Sequence, residues 1–487
     1  MSQPHERSVA ELSAQLESGA LSSVEIIRDC LERIRATDQA LGAFIALRES
    51  DALREAEASD QRRASGECLG PVDGIPIAVK DNLVSPDFEV TCASRILKGF
   101  RSPYEASVLT RLRAAGMVVL GTTNMDEFAM GSSCENSAVR PAANPWNPEY
   151  IPGGSSGGSC VAVAARQVPC ALGSDTGGSI RQPAAHTGTL GFKPTYGRVS
   201  RYGLIAFASS LDQIGPVTRD ARDAALLLQL IAGADAHDST SVDAPVPDYA
   251  SSLTGDVSGL RVGIPREFFE AEGADPVYLE RVRAAVAELE AAGAKTIEVS
   301  LPTAPYGIAA YYLICTAEAS SNLSRYDGVK YGIRSEADDY REMYRRTRNE
   351  GFGDEVKRRI LLGTYVLSAG YYDAYYTKAQ KVRTLIRRDF SRAFEACDVL
   401  ATPTAPAAAW KLGELANDPL QMYLADIFTV SVNLAGLPSV SIPCGFDSEG
   451  LPTGLQLIAP ALEESTLLRA ADAYQRQTEW HRQAPSL

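Results

Sequence analysis

Two clusters of glycine and serine are the residues best suited to chemistry. They occupy positions 152–159 (PGGSSGGS) and 173–179 (GSDTGGS). A phosphate-binding P-loop would need lysine directly after its last glycine, but the residue that follows Gly158 is Ser159. Nucleotide phosphate binding therefore loses its main ligand, and nucleophilic attack by a serine becomes the chemistry to consider.

The first cluster also fits the nucleophile elbow of α/β-hydrolases, because Gly153, Ser155 and Gly157 form a G-x-S-x-G motif. Such an elbow needs an acid and then a histidine further along the chain. Of the four histidines, two lie near the chain ends, one lies in a polar loop and one shortly follows the second cluster: His5, His481, His237 and His186. A histidine-based triad stays open, with poor candidates.

Lysine can replace histidine as the base when a desolvated site keeps it neutral. Lys80 ends the apolar run at 75–79 (IPIAV), so a strand would carry its ammonium group into the interior. A lone lysine at a strand end more often reaches solvent, and this alternative stays open when Lys80 is considered by itself.

The turn that ends the second cluster could form an oxyanion hole. Glycine allows close approach and unusual φ and ψ, so a Gly-rich turn can bring successive backbone N–H groups to one point. The residues concerned are Thr176, Gly177, Gly178 and Ser179, and Ser179 would be the nucleophile beside this hole. A loop that only needs flexible glycine is the simpler alternative for either cluster.

Composition limits the class of protein. Hydrophobic residues make up 45% of the 487 residues and charged residues 22%, the balance of a folded globular protein. The net charge of −14 disfavours general binding to nucleic acid. Seven basic residues interspersed with acids predict a solvated helix face: Arg341, Arg345, Arg346, Arg348, Lys357, Arg358 and Arg359.

The chain shows no sign of a membrane span or a secretory leader, so we expect a cytoplasmic protein that does not bind a membrane. Nine scattered cysteines without CxxC pairs predict reduced, mostly buried thiols and no metal site.

The pattern of elements predicts an α/β fold. Two S-x-x-E capping boxes, at Ser8 and Ser22, predict an N-terminal helical hairpin, with Gly19 ending its first helix. Short apolar strands alternate with helices from residue 71 onward, for example at 75–79, 107–116 and 117–124. Residues from about 305 to 393 are Tyr-rich and helical in pattern, which indicates a helical excursion that covers a site.

Lys80, the GGSSGGS cluster and the run DTGGSIRQPA at 175–184 together resemble the amidase signature family. The resemblance covers nearly the whole chain, and the two serines stand 24 positions apart as in that family. It implies a central mixed, twisted sheet covered by helices on both faces. We accordingly divide the chain into an N-terminal helical region (1–60) and an amidase signature domain (61–487) with the helical excursion at about 305–393.

The resemblance also implies a Ser-Ser-Lys triad that hydrolyses a carboxamide through an acyl-enzyme. Ser179 would be acylated, and Lys80 would be the base. Ser155 would follow a cis peptide bond, and its hydroxyl would bridge Lys80 and Ser179. The amides of Thr176 to Ser179 would hold the oxyanion.

Within the family, the blocks at 318–328, 356–376 and 418–438 are similar to the A subunits of amidotransferases that act on glutamyl-tRNA(Gln) and aspartyl-tRNA(Asn). This similarity implies glutamine as the amide donor. Arg359 would bind its α-carboxylate and Asp426 its α-ammonium, with Tyr311 or Tyr312 beside them.

The same similarity implies a heterotrimer with B and C subunits. The partner subunit would use ATP and Mg²⁺ and carry most of the contact with charged tRNA, and this chain itself would need no cofactor. Two alternatives are a free-standing amidase that acts on another small carboxamide and an inactive scaffold subunit. The presence of all three triad residues argues against the scaffold.

Overall fold

The computed structural model describes residues 3–487. Within this range eleven strands form one sheet, in the order β1-β3-β2-β4-β6-β5-β10-β11-β9-β7-β8. The strands are β1 Phe44–Leu47, β2 Pro76–Lys80, β3 Val118–Thr123, β4 Ala171–Asp175, β5 Leu190–Lys193, β6 Gln213–Thr218, β7 Arg261–Pro265, β8 Lys295–Val299, β9 Val399–Pro403, β10 Ser439–Phe446 and β11 Pro452–Ile458.

Both parallel and antiparallel pairs occur in this sheet. β2 pairs in parallel with β3 and β4, and β7 pairs in parallel with β8 and β9. The other six pairs are antiparallel. The mixed sheet and its helices confirm the predicted α/β fold.

Sixteen α-helices accompany the sheet in the described chain. They are α1 Val9–Ser18, α2 Ser23–Leu41, α3 Glu49–Ser65, α4 Ser107–Ala114, α5 Gly157–Ala164, α6 Arg181–Thr187, α7 Ala221–Ile231, α8 Arg266–Phe269, α9 Pro276–Ala291, α10 Gly307–Asn322, α11 Tyr340–Gly351, α12 Asp354–Val366, α13 Lys378–Ala396, α14 Pro419–Leu424, α15 Val430–Ala435 and α16 Glu464–Gln477. A π-helical turn, Tyr372–Thr377, precedes α13.

Local sequence signals explain where several helices begin and end. Both predicted capping boxes are confirmed, since Ser8 and Ser22 each accept a hydrogen bond from the N–H of the glutamate three residues later. Gly19 ends α1 in the left-handed conformation. Asp275 caps α9, and Pro276 occupies its first position.

The N-terminal region is not purely helical. Between its helices lies β1, which pairs antiparallel with β3 at the edge of the sheet. The predicted helical region at 1–60 therefore contributes a strand, and its last helix continues to Ser65. In the Tyr-rich segment, α10, α11, α12 and most of α13 lie between residues 305 and 393.

The parallel strands β2 and β4 create the edge where the chemistry can lie. Ala78 pairs with Ala171 and Val79 with Leu172, so both strands end at the same edge of the sheet. Every residue of both strands is buried, as is usual for parallel strands. Lys80 ends β2, and the second Gly/Ser cluster runs out of β4.

No helix in residues 3–487 is long and apolar enough to cross a membrane. All nine cysteines are free, and eight are buried, as predicted; Cys68 is exposed.

Candidate active site

Lys80 is fully buried at the end of β2. Its Nζ lies 2.7 Å from Ser155 Oγ, 2.9 Å from Ser156 Oγ and 3.0 Å from Ser174 Oγ. Burial lowers the pKa of the Lys80 ammonium to about 8, although the nearby Asp126 carboxylate opposes this shift. Lys80 can therefore become neutral near physiological pH and take a proton from a neighbouring hydroxyl.

Ser155 follows a cis peptide bond with Gly154, which confirms the prediction made for this bond. Glycine is required at position 154, because a Cβ there would lie 2.0 Å from Asp126 Oδ2. Gly153 has φ of +81°, a conformation that favours glycine. The paired glycines of the first cluster thus let the chain pass close to Asp126 and place Ser155 beside Lys80.

The turn that carries Ser179 is fixed by Asp175 at the end of β4. The Asp175 carboxylate accepts hydrogen bonds from Ile180 N–H at 3.2 Å and from Arg181 Nε at 3.0 Å. Burial alone would raise the pKa of Asp175, but the Arg181 guanidinium outweighs it and lowers that pKa to about 2. The carboxylate therefore stays charged and holds the turn against α6.

A backbone hydrogen bond joins the two Gly/Ser clusters: Ser156 N–H donates to the Ser179 carbonyl at 3.0 Å. Lys80 and Ser155 have no exposed surface, whereas Ser179 is 8% exposed. Of the three predicted triad residues, Ser179 is the one that an incoming substrate can reach.

The predicted oxyanion residues form the turn itself: Thr176, Gly177, Gly178 and Ser179. The carbonyl of Gly177 accepts a hydrogen bond from Thr429 Oγ1 at 2.6 Å, and that of Gly178 accepts one from Gln182 N–H at 2.8 Å. Because C=O and N–H point in opposite directions across a trans peptide, the N–H groups of Gly178 and Ser179 point away from these partners. This orientation leaves them able to donate to a substrate oxygen.

Two of the predicted recognition residues lie against this turn. A Cβ on Gly177 would lie 2.5 Å from the Tyr311 hydroxyl, and a Cβ on Gly178 would lie 3.3 Å from Asp426 Oδ1. Tyr311 comes from α10, and Asp426 follows α14. The structure therefore brings together residues that are far apart in the sequence.

Arg359 on α12 is only 3% exposed. Its Nε donates to Glu355 Oε1 at 2.7 Å. Its guanidinium carbon lies 5.2 Å from the ring centres of Tyr312 and Tyr423 and 5.7 Å from that of Phe207. We call these four partners, Glu355, Tyr312, Tyr423 and Phe207, the arginine box. Cation–π contact and the ion pair fix the direction of the guanidinium.

The burial of Arg359 corrects the prediction that this residue belongs to a solvated helix face. Arg345 and Arg346 do lie at the surface and pair with Glu342. Arg359 does not belong to this surface, because rings from other segments cover it.

Asp426 is a buried carboxylate whose Oδ2 accepts a hydrogen bond from Ser132 Oγ at 2.6 Å. Burial raises the pKa of the Asp426 carboxyl to about 7, while Ser132 and the positive charge of Arg359 oppose that rise. A second positive charge in the site would favour the ionised form further.

The two candidate tyrosines have different surroundings. The Tyr311 hydroxyl lies next to Gly177. Tyr312 stacks on Tyr423, with ring centres 4.1 Å apart, and belongs to the arginine box. The Tyr311 hydroxyl thus lies against the oxyanion turn, whereas the Tyr312 ring lies against the Arg359 guanidinium.

Sequence reasoning missed several polar residues around Lys80. Ser156 and Ser174 contact its Nζ, and Asn82 Nδ2 donates to Ser174 Oγ at 2.9 Å. Ser156 and Ser174 lie inside the two Gly/Ser clusters and Asn82 lies two residues after Lys80, so closeness in sequence to the candidate residues was an available signal. No local signal marks Glu355 as a partner of Arg359 except its spacing of four on a helix.

Three of the four histidines bond to groups outside the predicted triad. His5 and His237 pair with aspartates, and His186 contacts Gln182 and the Ala407 carbonyl. These bonds do not support a histidine-based triad. In the described chain no group of three or more His, Cys, Asp or Glu residues is placed to hold a metal ion.

Comparisons with known proteins identify the family of this chain. The family model described as Amidase matches residues 25–468. The chain is 58% identical to the A subunit of glutamyl-tRNA(Gln) amidotransferase from Moorella thermoacetica over 98% of each chain. The crystal structure of the Thermotoga maritima protein of the same name has a TM-score of 0.82 and 42% identity, covering 99% of this chain and 97% of that one.

A second structural relative is the peptide amidase of Stenotrophomonas maltophilia, with a TM-score of 0.81 and 32% identity. The match covers 98% of this chain and 97% of that one. The family model spans most of the chain, and the relatives match it nearly end to end, so this protein belongs to the amidase family of enzymes.

Proposed function

We propose that this chain hydrolyses the side-chain amide of glutamine and supplies the ammonia to a tRNA-dependent amidotransferase. One observation carries the proposal: Lys80 Nζ is buried 2.7 Å from Ser155 Oγ, and the next residue, Ser156, is hydrogen-bonded to Ser179, the most exposed of the three triad residues. Asp426 and Tyr311 lie against the oxyanion turn, and Arg359 is near enough to Asp426 for its positive charge to oppose the rise in the Asp426 pKa. An α-amino acid with a terminal carboxamide complements this combination of groups.

In the first step Ser179 attacks the carboxamide carbon. As its Oγ forms the C–O bond, its proton passes to Ser155, and the Ser155 proton passes to neutral Lys80. The electron pair of the carbonyl moves onto its oxygen. The N–H groups of Gly178 and Ser179 stabilise this oxyanion.

In the second step the C–N bond breaks. Ser155 returns a proton to the departing nitrogen and is reprotonated by Lys80, so ammonia leaves and an ester to Ser179 remains. Water then attacks the ester through the same relay. The products are glutamate and the free enzyme, so atoms and protons balance.

Recognition depends on the buried charges. The guanidinium of Arg359, held through its Nε by Glu355, has its other N–H groups free to bind the α-carboxylate. Asp426 binds the α-ammonium, and the Tyr311 hydroxyl lies close to the reacting amide. The two opposite charges together favour a zwitterionic amino acid over a neutral amide.

The relatives support an assembled enzyme, because their name describes the A subunit of an amidotransferase for glutamyl-tRNA(Gln). We propose that B and C subunits complete a heterotrimer. In this proposal the partner uses ATP and Mg²⁺ to activate the acyl-tRNA, contacts most of the tRNA, and determines whether glutamyl-tRNA(Gln), aspartyl-tRNA(Asn) or both are served.

The test is ammonia release from glutamine by the purified chain, alone and with its partner subunits, ATP and charged tRNA. We expect release that needs Ser179 and rises when the complex is complete. Ammonia release that does not require glutamine, or release that persists in Ser179→Ala, would refute the proposal.

A free-standing amidase is the second candidate, favoured by the similarity to the peptide amidase. It predicts good turnover of uncharged carboxamides by the chain alone and little effect of Arg359 substitutions. A panel of glutamine, glutaminamide and simple amides distinguishes the two functions.

A further inference from the structure

A buried glutamine bridges the catalytic loop and the recognition loop. Gln182 lies on α6, three residues after Ser179, and has no exposed surface. Its Oε1 accepts the N–H of Gly154 at 2.9 Å, and its Nε2 donates to the Ser132 carbonyl at 2.9 Å. One side chain thus holds the residue before Ser155 and a residue of a separate loop.

The far end of this bridge reaches a recognition residue. Ser132 is 2% exposed, and its Oγ donates to Asp426 Oδ2 at 2.6 Å. A series of hydrogen bonds therefore runs from Gly154, the residue before the cis peptide bond, through Gln182 and Ser132 to Asp426. One end of this series is the residue before Ser155 of the triad, and the other end is Asp426, to which the proposed function assigns binding of the substrate ammonium.

The orientation of the Gln182 amide is unambiguous. A backbone N–H can only donate and a backbone carbonyl can only accept, so Oε1 must face Gly154 and Nε2 must face Ser132. His186 reinforces this arrangement: its Nε2 lies 3.3 Å from the Ala407 carbonyl, which leaves its Nδ1 as an acceptor 3.4 Å from Gln182 Nε2. The Gln182 atom that faces the Ser132 carbonyl and His186 Nδ1 must therefore be a hydrogen-bond donor.

We propose that Gln182 is a positioning residue that sets the catalytic loop and the recognition loop at one fixed separation, and that Ser132 carries its effect to Asp426. This inference rests on the proposed function, since it treats Asp426 as the group that binds the substrate ammonium. It adds a residue that touches neither the substrate nor the reacting atoms. Such a residue couples chemistry to recognition because the two loops cannot shift independently.

The bridge is tested by three substitutions in the full chain within its complex. Gln182→Glu keeps the size of the side chain but places a carboxylate oxygen against two acceptors, the Ser132 carbonyl and His186 Nδ1. Ser132→Ala keeps the backbone carbonyl and removes only the bond to Asp426. Gln475→Glu is the matched control, because Gln475 also bridges a backbone N–H and a carbonyl, at Ala221 and Arg219.

Two readouts separate the halves of the bridge. Covalent labelling of Ser179 by phenylmethylsulfonyl fluoride reports the triad without glutamine recognition. The KM for glutamine reports recognition. We expect Gln182→Glu to slow labelling and to raise KM, each by about tenfold or more, because a buried polar group loses its partner. Ser132→Ala should raise only KM, and Gln475→Glu should change neither.

A pH profile gives a further signature of the bridge. At lower pH the introduced carboxyl becomes protonated and can donate to the Ser132 carbonyl again. The activity of Gln182→Glu relative to the unchanged chain should therefore increase as the pH falls. A merely structural defect would give a ratio that does not depend on pH.

The outcomes decide between the alternatives. If Gln182→Glu behaves like Gln475→Glu in both readouts, the inference is wrong. If Gln182→Glu does not fold, Gln182→Met removes the same two bonds without adding charge and is judged by the same criteria. If the unchanged chain is labelled at Ser179 but ignores glutamine, the proposed function fails, while the labelling rates still decide whether Gln182 positions Ser155.

Discussion

The triad and the recognition cluster are built in different ways. Lys80, Ser155 and Ser179 lie where two parallel strands end, and they are held mainly by hydroxyls, backbone groups and close-packed glycines, with the Asp175–Arg181 ion pair fixing the turn of Ser179. Arg359 and Asp426 come from distant helical segments, where the Glu355 carboxylate and aromatic rings hold Arg359 and the Ser132 hydroxyl holds Asp426. The difference suggests that the backbone sets the reaction, whereas side chains set the substrate. The following predictions test this division.

The largest effect is expected from Ser179→Ala. Without the nucleophile no acyl-enzyme forms, so glutamine hydrolysis should fall by at least about a thousandfold. Ammonia release and mass spectrometry of the trapped ester measure this loss. Ser18→Ala, at an exposed helix end, is the control and should retain full activity. Retention of hydrolysis in Ser179→Ala would place the chemistry elsewhere.

The pH dependence of kcat/KM should follow the ionisation of two buried groups, Lys80 with its lowered pKa and Asp426 with its raised pKa. Lys80 acts in its neutral form and Asp426 in its ionised form, with pKa values of about 8 and about 7. Both become active by losing a proton, so kcat/KM should rise with pH and level off above about pH 8. Below that value it should fall by about tenfold per pH unit, and more steeply below pH 7.

A variant of Asp126 sharpens this prediction. The Asp126 carboxylate favours the protonated form of Lys80, so Asp126→Asn should lower the Lys80 pKa and move the rise in activity to lower pH. Titration of kcat/KM from pH 6 to 9 measures the shift. A profile that is flat over this range in both proteins would mean that Lys80 is not the base.

Arg359→Lys tests the recognition cluster. Lysine loses the planar stack and the fixed fork of donors, so the KM for glutamine should rise by about tenfold to a hundredfold. Labelling of Ser179 should stay unchanged. Arg345, 74% exposed in its side chain and paired with Glu342 instead of Glu355, provides the control, and Arg345→Lys should bind glutamine normally. Equal effects of both substitutions would remove Arg359 from substrate binding.

Much of the fold could be predicted from local sequence signals, but strand β1 could not. Capping residues determine where α1 and α2 begin, and buried apolar runs mark β2 and β3. The short strand β1 escaped prediction, because its four residues exist as a strand only through pairing with β3, more than seventy positions away. A pairing partner at that distance leaves no trace in the local pattern.

The same reasoning applies to the site. Ser155 and Ser179 lie in dense local motifs, so the residues themselves point to a nucleophile, and Lys80 follows from the end of an apolar strand. The burial of Arg359 depends on rings at Phe207 and Tyr423, which come from unrelated segments. Residues held by tertiary contacts could therefore be named only through the family resemblance.

The smallest expected effect separates the two tyrosines. Tyr311→Phe removes the hydroxyl that lies against Gly177, at a cost of about one hydrogen bond, so kcat/KM for glutamine should fall about fivefold. Tyr312→Phe keeps the ring that stacks on Tyr423 beside Arg359, so its effect should be smaller still. Steady-state kinetics of both variants measure the difference. If Tyr312→Phe proves the more damaging, the hydroxyl that assists the reaction belongs to the arginine box, and the division between backbone-held chemistry and side-chain-held recognition breaks down at this point.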